Sequence, residues 1–220
     1  MIEQERHRNS SPGGRFVIIG GAKIGDYDAI GRFLRPGDFF CYCDSGLFHR
    51  DRLGAAPDLI VGDFDSHPRP DLPVETITLP TDKDDTDTFY AAGEGLVRGY
   101  EDFLLLGVTG GRLDHTLGNL SILLRLDTLG KRGKIVDDYS EAEVVSGRLT
   151  ACIPDSFAFF SLLNISGAAR GIRVRDAKYP LENAEIGCDY PYGVSNEVLP
   201  GRIASVHVEE GRLLLIKIRR

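Results

Sequence analysis

The sequence lacks several features that would point to particular classes of protein. It has no tryptophan, one methionine and four cysteines, and these cysteines form no CxxC pair and have no histidine at zinc-finger spacing, which argues against a zinc module. We expect Cys41, Cys43, Cys152 and Cys188 to be reduced thiols in or near the core. No apolar run reaches the roughly 18–20 residues of a membrane span, and the charged start lacks the apolar core of a signal peptide. Residence in the cytoplasm is the default prediction.

Basic residues are also in short supply. The 26 Lys and Arg are outnumbered by 33 Asp and Glu, giving a net charge of −7, and their scattered positions argue against a face that binds nucleic-acid backbones. With 42% hydrophobic and 27% charged residues, the composition is that of an ordinary globular protein. An acidic chain can still bind a nucleotide, because metal ions held by carboxylates carry positive charge to the phosphates.

The order of the apolar segments predicts an α/β domain followed by an all-β domain. Residues 1–14 are polar and end in Ser-Ser-Pro-Gly-Gly, which is typical of a mobile leader. From residue 15 to 138, short apolar runs alternate with helical patterns, which predicts a mostly parallel sheet. From 139 to 220, short strand-like runs are separated by turn residues, which predicts a β-sandwich or a barrel-like pair of sheets.

The individual elements follow from the periodicity of the apolar residues. Strands buried on both faces are predicted at residues 16–19, 39–43, 59–61, 74–79 and 103–107. Helices are predicted at 84–97 and 113–129, the second with an apolar face formed by Leu113, Leu117, Leu120, Leu124 and Leu126. After Gly133 only strands are predicted, at 134–137 just before the domain boundary and at 143–145, 158–163, 171–174, 203–208 and 213–218 in the second domain.

Carboxylates gather in two segments of the first domain. Asp63 and Asp65 come directly after the strand at 59–61, at the edge where open α/β sheets bind ligands. Together they could ligate Mg²⁺, which prefers oxygen ligands, although a polar turn with a helix cap is the alternative. Asp84 and Asp87 lie three residues apart at the start of a helix and could join them around one or two ions, with compensation of the helix dipole as the alternative.

A glycine turn between a strand and a helix forms the third candidate segment. Gly110 and Gly111 could present backbone N–H groups to a phosphate, although the segment is neither a Walker A loop nor a GxGxxG motif and a plain connection is the alternative. Arg112 has a charge suited to phosphate oxygens. Asp114 could hold Arg112 or a substrate hydroxyl, and His115 could be a packed residue or a proton carrier.

Three further polar segments have a simple turn as their alternative reading. Asp44-Ser45-Gly46 ends the second strand and could approach the same edge of the sheet. Residues 178–181 and 194–197 of the second domain contain Pro, Ser and Asn and, taken alone, are predicted to be turns.

Taken in order, these segments resemble the thiamine pyrophosphokinase family. The segments that carry the resemblance are Gly54 and residues 44–46, 57–66, 83–87, 110–120, 178–181 and 195–197. Any one of them is a weak signal, whereas their joint order over nearly the whole folded chain is specific.

The resemblance implies a magnesium-dependent enzyme that transfers diphosphate from ATP to the hydroxyl of thiamine. It also implies an α/β nucleotide-binding half and a β-sandwich half, assembled as a homodimer with active sites at the subunit interface. Asp63, Asp65 and Asp87 would hold Mg²⁺ against the ATP phosphates, with Asp84 nearby. The residues expected on the nucleotide and reacting groups are Asp44, Gly46, Gly110, Gly111, Arg112, Asp114 and His115. Ser195 and Asn196 would help to hold thiamine.

The chain departs from the family pattern at two places. Residues 44–48 read Asp-Ser-Gly-Leu-Phe where the family usually has Asp-Gly-Gly-Ala-Asn, and Phe89-Tyr90 stand where a Glu-Lys pair is usual. The carboxylate set is unaffected. Two other hypotheses are diphosphate transfer to another small alcohol, such as a pterin or a thiamine analogue, and a non-catalytic regulator that binds nucleotide or thiamine on the same fold.

Overall fold

The computed structural model describes residues 13–65, 69–82, 85–165 and 167–220. The chain forms two compact units, the first running to Asn119 without residues 24–26, and the second comprising those three residues and Leu120–Arg220. The predicted boundary near residue 138 stays a prediction. Most of the predicted leader lies outside the described residues.

Within the described ranges, the first unit contains a sheet of five parallel strands. They are β1 (Phe16–Ile19), β2 (Phe39–Cys43), β3 (Leu59–Gly62), β4 (Glu75–Thr78) and β5 (Asp102–Leu106), in the order β5-β1-β2-β3-β4. The helices are α1 (Tyr27–Gly31), α2 (Arg50–Leu53), α3 (Asp87–Val97) and α4 (Leu113–Thr128), the last of which continues into the second unit. The predicted α/β alternation is confirmed.

The strands of this sheet are buried, with one exception. All four residues of β1 and of β3 are buried, as expected for strands covered on both faces. The prediction that residues 74–79 are buried on both faces is wrong for β4, whose residues are exposed or half-buried. Among the described strands, this one pairs with β3 alone, at the end of the sheet, and its sequence Glu-Thr-Ile-Thr suits a partly solvated edge.

Helix α3 begins at a defined cap. The Thr86 hydroxyl accepts a hydrogen bond from the Phe89 backbone N–H at 3.3 Å, which satisfies a donor that the helix leaves unpaired. The inner face is made of small residues, since a Cβ on Gly95 would lie 2.5 Å from the Phe103 ring. Glycine therefore lets α3 pack close to the sheet.

Helix α4 has a different buried face from the predicted one. The buried apolar side chains are Ile122, Leu123 and Leu126, whereas Leu113 is 71% exposed and Leu117 is 55% exposed. Leucines at helical spacing predict an apolar stripe, but they do not require every member of the stripe to contact a surface of the same chain. The predicted face is therefore wrong for the first two turns.

The second unit is an antiparallel β structure, as predicted. Its strands in the described part of the chain are β6 (Arg132–Val136), β7 (Ser140–Ser146), β8 (Ala151–Pro154), β9 (Phe157–Leu163), β10 (Ala169–Arg175), β11 (Leu181–Ile186), β12 (Gly193–Asn196), β13 (Ile203–His207) and β14 (Arg212–Arg219). One layer has the order β12-β9-β14-β7-β6 and the other β11-β10-β13-β8. Side chains from both layers, among them Phe160, Leu215, Ile172 and Val206, share one core, so the sandwich is confirmed.

Three strands of the sandwich were absent from the sequence prediction. Strands β8, β11 and β12 are four to six residues long and carry polar residues or proline, so they lack an apolar run. Strand β12 falls on residues that predict a turn, and it pairs with β9 through an irregular register between Gly193 and Asn196.

The cysteines are all free, but they differ in burial. Cys41 and Cys43 are buried, as expected, whereas Cys152 and Cys188 are exposed, so the expectation of a near-core position is wrong for the second pair. Among the described residues, no helix is long and apolar enough to cross a lipid bilayer.

Candidate active site

The carboxyl ends of the parallel strands carry most of the predicted site residues. Asp44 directly follows β2, Asp63 follows the last residue of β3, and Gly107 follows β5. The loops after β1 and β5 are joined by backbone hydrogen bonds, from Gly20 N–H to Leu106 O at 2.9 Å and from Ala22 N–H to Gly107 O at 2.8 Å. Strand ends at such an edge form the usual ligand crevice of open α/β sheets.

Gly62 brings two of the acidic segments together. A Cβ at Gly62 would lie 3.2 Å from the Asp44 Cα, so any side chain there would press on the Asp44 backbone. Because Gly62 has no side chain, the segment after β2 can approach the end of β3 closely. The backbone of Asp63, the residue after Gly62, therefore lies near that of Asp44.

Asp44 and Asp87 converge on the buried thiol of Cys43. The pKa of Cys43 is raised well above its usual value, first by the hydrogen bond with Cys41, then by burial, and further by the negative charges of Asp87 and Asp44. In the described part of the chain, Oδ1 of Asp44 and Oδ1 of Asp87 are buried atoms with no hydrogen bond. Asp87 is the first residue of α3, and its charge therefore reaches Cys43 at the end of β2.

The backbone is strained at both acidic turns. Asp44 has φ of 42° and Phe64 has φ of 55°, in the left-handed region that costs a residue other than glycine about 1–3 kcal/mol. At the second turn, Oδ1 of Asp63 accepts a hydrogen bond from the Asp65 N–H at 3.2 Å. Such strain concentrates at functional sites, which supports a binding role for these turns over a plain connection.

The donor set suits Mg²⁺. Mg²⁺ is usually held by one or two carboxylates together with waters and substrate phosphates, so a preformed protein cage is not needed. Within residues 13–65, 69–82, 85–165 and 167–220, no three His, Cys, Asp or Glu side chains are grouped closely enough to hold one ion. Asp63, Asp65 and Asp87 carry carboxylate oxygens, the type of ligand that Mg²⁺ prefers, and Asp84 lies outside the described residues.

Part of the glycine turn is already hydrogen-bonded to neighbouring residues of the same segment. Gly110 and Gly111 both have left-handed backbones, with φ of 86° and 66°. However, the Gly110 N–H donates to Oγ1 of Thr116 at 3.1 Å, and this hydroxyl donates to the Arg112 carbonyl at 3.2 Å. The expectation of free backbone N–H groups is therefore wrong for Gly110.

Arg112 and Asp114 form a two-pronged ion pair. The Arg112 Nε and Nη2 atoms donate to the two Asp114 carboxylate oxygens at 3.2 and 2.6 Å, and the His115 N–H donates to Oδ1 at 3.0 Å. The Arg112 hydrogen bond is the main cause that lowers the pKa of Asp114 to about 2. Of the two roles predicted for Asp114, the structure shows the one in which it holds Arg112, and a carboxylate of so low a pKa is a weak base.

Asn119 is a positioning residue that the sequence prediction missed. Its side chain is buried on α4, where Nδ2 donates to the Val108 carbonyl at 2.8 Å and Oδ1 accepts from the Thr88 hydroxyl at 2.6 Å. It therefore ties the loop after β5 to the start of α3. The sequence does contain a signal for it, because Asn119 lies among the leucines of a predicted helix. A buried amide is normally hydrogen-bonded, so an asparagine at such a position indicates a specific polar contact.

His49 holds the loop after β1. Its Nε2 lies 3.0 Å from the Ala22 carbonyl and its Nδ1 lies 2.7 Å from the Tyr27 hydroxyl. The carbonyl can only accept, so Nε2 donates. In the neutral imidazole, which the lowered pKa of His49 favours, Nδ1 accepts from the Tyr27 hydroxyl. Burial is the main cause that lowers the pKa of His49, and Arg52 lowers it further.

We expect the pKa of His49 to make stability fall in mild acid. In the unfolded chain histidine takes up a proton near pH 6.5, whereas the folded protein resists protonation, so this stabilisation is complete above about pH 6.5 and declines below it. Urea unfolding of wild type and His49→Gln from neutral pH to about pH 5 measures the effect. The wild type should lose more stability than the variant.

The exposed His115 supplies the control for that measurement. His115→Gln shows how much the replacement of an exposed histidine by glutamine changes unfolding on its own. Equal slopes for wild type and His49→Gln would show that other groups cause the loss of stability in acid.

In the second unit, the two polar segments that carried the resemblance lie side by side. Lys178 N–H donates to the Glu197 carbonyl at 2.9 Å, and their side chains form an ion pair of 2.6 Å. Oδ1 of Asn196 accepts from the N–H groups of Tyr179 and Glu197, and Nδ2 donates to the Tyr179 carbonyl. Asn196 thus fixes the backbone around it, while Ser195, with φ of 58°, is exposed.

Comparisons with known proteins agree with this arrangement of segments. The family description "Thiamin pyrophosphokinase, catalytic domain" matches residues 30–136, and "Thiamin pyrophosphokinase, vitamin B1 binding domain" matches residues 152–213. The chain belongs to the thiamin pyrophosphokinase family. By family it is an enzyme, a thiamine diphosphokinase, and the resemblance found in the sequence is confirmed.

Individual relatives of this family resemble the chain over most of its length. The chain is 25% identical to thiamine pyrophosphokinase of Bacillus subtilis (strain 168) over 181 residues, covering 79% of this chain and 84% of that protein. The crystal structure from Bacillus subtilis gives a TM-score of 0.82 at 21% identity, covering 94% of this chain and 99% of that one. Thiamin pyrophosphokinase from Geobacillus thermodenitrificans gives 0.80 at 24%, with 93% and 97% covered. These solved structures share the fold.

Proposed function

We propose that this protein transfers diphosphate from ATP to the hydroxyl of thiamine, in a reaction that depends on Mg²⁺ and releases AMP. The observation that supports the proposal most is the convergence of acidic side chains at the carboxyl edge of the parallel sheet. The negative charges of Asp44 and Asp87 both raise the pKa of Cys43. Asp63 is the next residue after Gly62, whose backbone lies close to Asp44. Such a concentration of negative charge suits a cation that accompanies phosphates.

The proposed reaction is an in-line displacement. The thiamine oxygen forms a bond to the β-phosphorus, the bond from that phosphorus to the α,β-bridging oxygen breaks, AMP leaves, and the hydroxyl proton passes to solvent. When bound, Mg²⁺ would neutralise phosphate charge. Asp63, Asp65 and Asp87 would hold it, and Arg112 would contact the phosphate oxygens. Positioning and charge account for most catalysis of this kind, so Asp114 is proposed to orient Arg112.

Exposed aromatic side chains support binding of a cationic ring in the second unit. Tyr190 and Tyr192 stack with ring centroids 6.3 Å apart, and they are 68% and 52% exposed. They precede Ser195 by only a few residues. Thiamine contains a positively charged thiazolium ring, and aromatic faces attract cations, so we include these tyrosines in the proposed thiamine-binding surface.

We expect Tyr192→Leu to weaken the use of thiamine while leaving catalysis intact. Loss of one exposed cation–π contact of about 1 kcal/mol should raise the thiamine KM about fivefold with little change in kcat. Steady-state AMP release at varied thiamine concentration measures both constants. Tyr139→Leu, at another exposed tyrosine, should leave KM unchanged, and a matching KM for both variants would remove Tyr192 from the surface.

The remaining parts of the proposal come from the family resemblance. We propose a homodimer with active sites at the subunit interface, cytoplasmic residence, and ATP as the nucleotide. Size-exclusion chromatography with light scattering tests the dimer, and a panel of nucleoside triphosphates tests the donor.

One assay separates the proposed reaction from its rivals. Incubation with ATP, Mg²⁺ and a panel of acceptors, with AMP and the diphosphorylated product quantified, should give turnover with thiamine. Turnover only with a pterin or another alcohol would identify a different diphosphokinase. Binding of ATP and thiamine with no AMP release would support the regulator and overturn the proposal.

A further inference from the structure

A small cavity lies on the second unit, on the layer formed by β11, β10, β13 and β8. Its volume is about 300 Å³, and its lining consists of Thr150, Arg173, Arg175, Ser205 and His207. Every lining residue has a polar side chain, and none belongs to the proposed active site.

Strand register places these side chains on one surface. Arg173 pairs with His207 and Arg175 pairs with Ser205 across β10 and β13, so residues two apart on each strand share a face. The intervening residues, Val174 and Val206, point into the buried core of the sandwich. The basic and hydroxyl side chains therefore lie on the outer face.

The cavity has an excess of positive charge. Arg173 forms an ion pair with Glu209, and the Thr150 hydroxyl lies 3.3 Å from Nδ1 of His207. Within the described residues Arg175 has no ion pair or side-chain hydrogen bond. Two guanidinium groups on neighbouring positions of one strand face repel each other, and an anion between them would remove that repulsion.

We infer that this cavity binds the phosphate or diphosphate group of a small molecule, at a site separate from the proposed active site. Guanidinium groups match phosphate oxygens with paired hydrogen bonds, and the hydroxyls of Ser205 and Thr150 can donate to the same oxygens. The volume is at the lower end of small-ligand sites, about 300–1,000 Å³. The cavity is therefore large enough to admit a phosphate or diphosphate group.

Titration with inorganic diphosphate tests the inference. Isothermal titration calorimetry at low ionic strength should detect binding, and backbone amide resonances should shift at residues 173–175 and 205–207. Arg175→Gln removes the guanidinium without ion-pair partners and should weaken binding by about tenfold or more, since hydrogen bonds to charged groups contribute about 1.5–3 kcal/mol. Inorganic phosphate and AMP form parallel arms that distinguish a free anion from a nucleotide phosphate.

Arg170→Gln is the matched control. Arg170 lies on the same strand, is exposed, and pairs with Glu185, so its loss changes the net charge equally and should leave affinity within about twofold. Equal weakening by both variants would reveal general charge attraction and overturn the inference. Absence of the amide shifts with all three anions, or shifts unaltered by Arg175→Gln, would also overturn it.

Discussion

Replacing Asp63 with Asn is expected to lower thiamine-dependent AMP formation by about 10²–10³-fold, the range found when one group that stabilises transition-state charge is removed. The change is nearly isosteric. Because the Asn amide oxygen can still accept the hydrogen bond that Oδ1 of Asp63 receives from the Asp65 N–H, the turn should persist while the negative charge is lost. Initial rates at saturating ATP and thiamine, over a range of Mg²⁺ concentrations, measure the effect.

The matched control for this prediction is Asp71→Asn. Asp71 is an exposed carboxylate on the same connection between β3 and β4, and its neutralisation should leave the rate within about twofold. Circular dichroism and the urea midpoint should be unchanged in both variants. A rate for Asp63→Asn close to that of Asp71→Asn would remove Asp63 from the proposed magnesium ligands.

Gly46→Ala is expected to destabilise the first unit and to lower activity. A Cβ at Gly46 would lie 2.2 Å from the Ile19 carbonyl oxygen, and because this contact is with backbone, neither side can yield by a rotamer change. Forcing extra volume into a packed region costs about 1–3 kcal/mol. The free energy of unfolding in urea gives the size of the loss.

A second glycine-to-alanine change should alter the free energy of unfolding in the opposite direction. A Cβ at Gly93 in α3 meets no atom within 4 Å, and alanine is favoured over glycine in a helix by about 1 kcal/mol. Gly93→Ala should therefore be neutral or stabilising. If Gly46→Ala were tolerated equally well, the close approach of the loops after β1 and β2 would not be required for folding.

The sequence predicts those features that depend on local pattern. Buried strands such as β1 and β3 are continuous apolar runs, and α3 has a cap residue followed by an apolar face. Strand ends then carry the acids to one edge, because parallel strands share their direction. The fold class and the edge on which the acids lie are therefore predictable from the order of the segments.

Features that depend on contacts between distant residues are not predictable in this way. Nothing in the sequence around Asp114 decides between Arg112 and a substrate as its partner, and nothing around Asn196 indicates that its amide is used by the backbone of Tyr179. Similarly, the exposure of Leu113 depends on what surrounds α4. Each of these outcomes is set by three-dimensional neighbours rather than by spacing along the chain.

Because Asp114 is paired with Arg112, an anion that binds Arg112 must displace the Asp114 carboxylate. Both side chains are well exposed, so water screens their attraction and the pair can exchange readily. A monovalent anion such as chloride binds a guanidinium too weakly to displace a carboxylate that makes two hydrogen bonds. A multiply charged phosphate makes stronger paired hydrogen bonds and can displace it. If Arg112 contacts the phosphates as proposed, its pairing with Asp114 would favour polyphosphates over the simple salts of the surrounding solution.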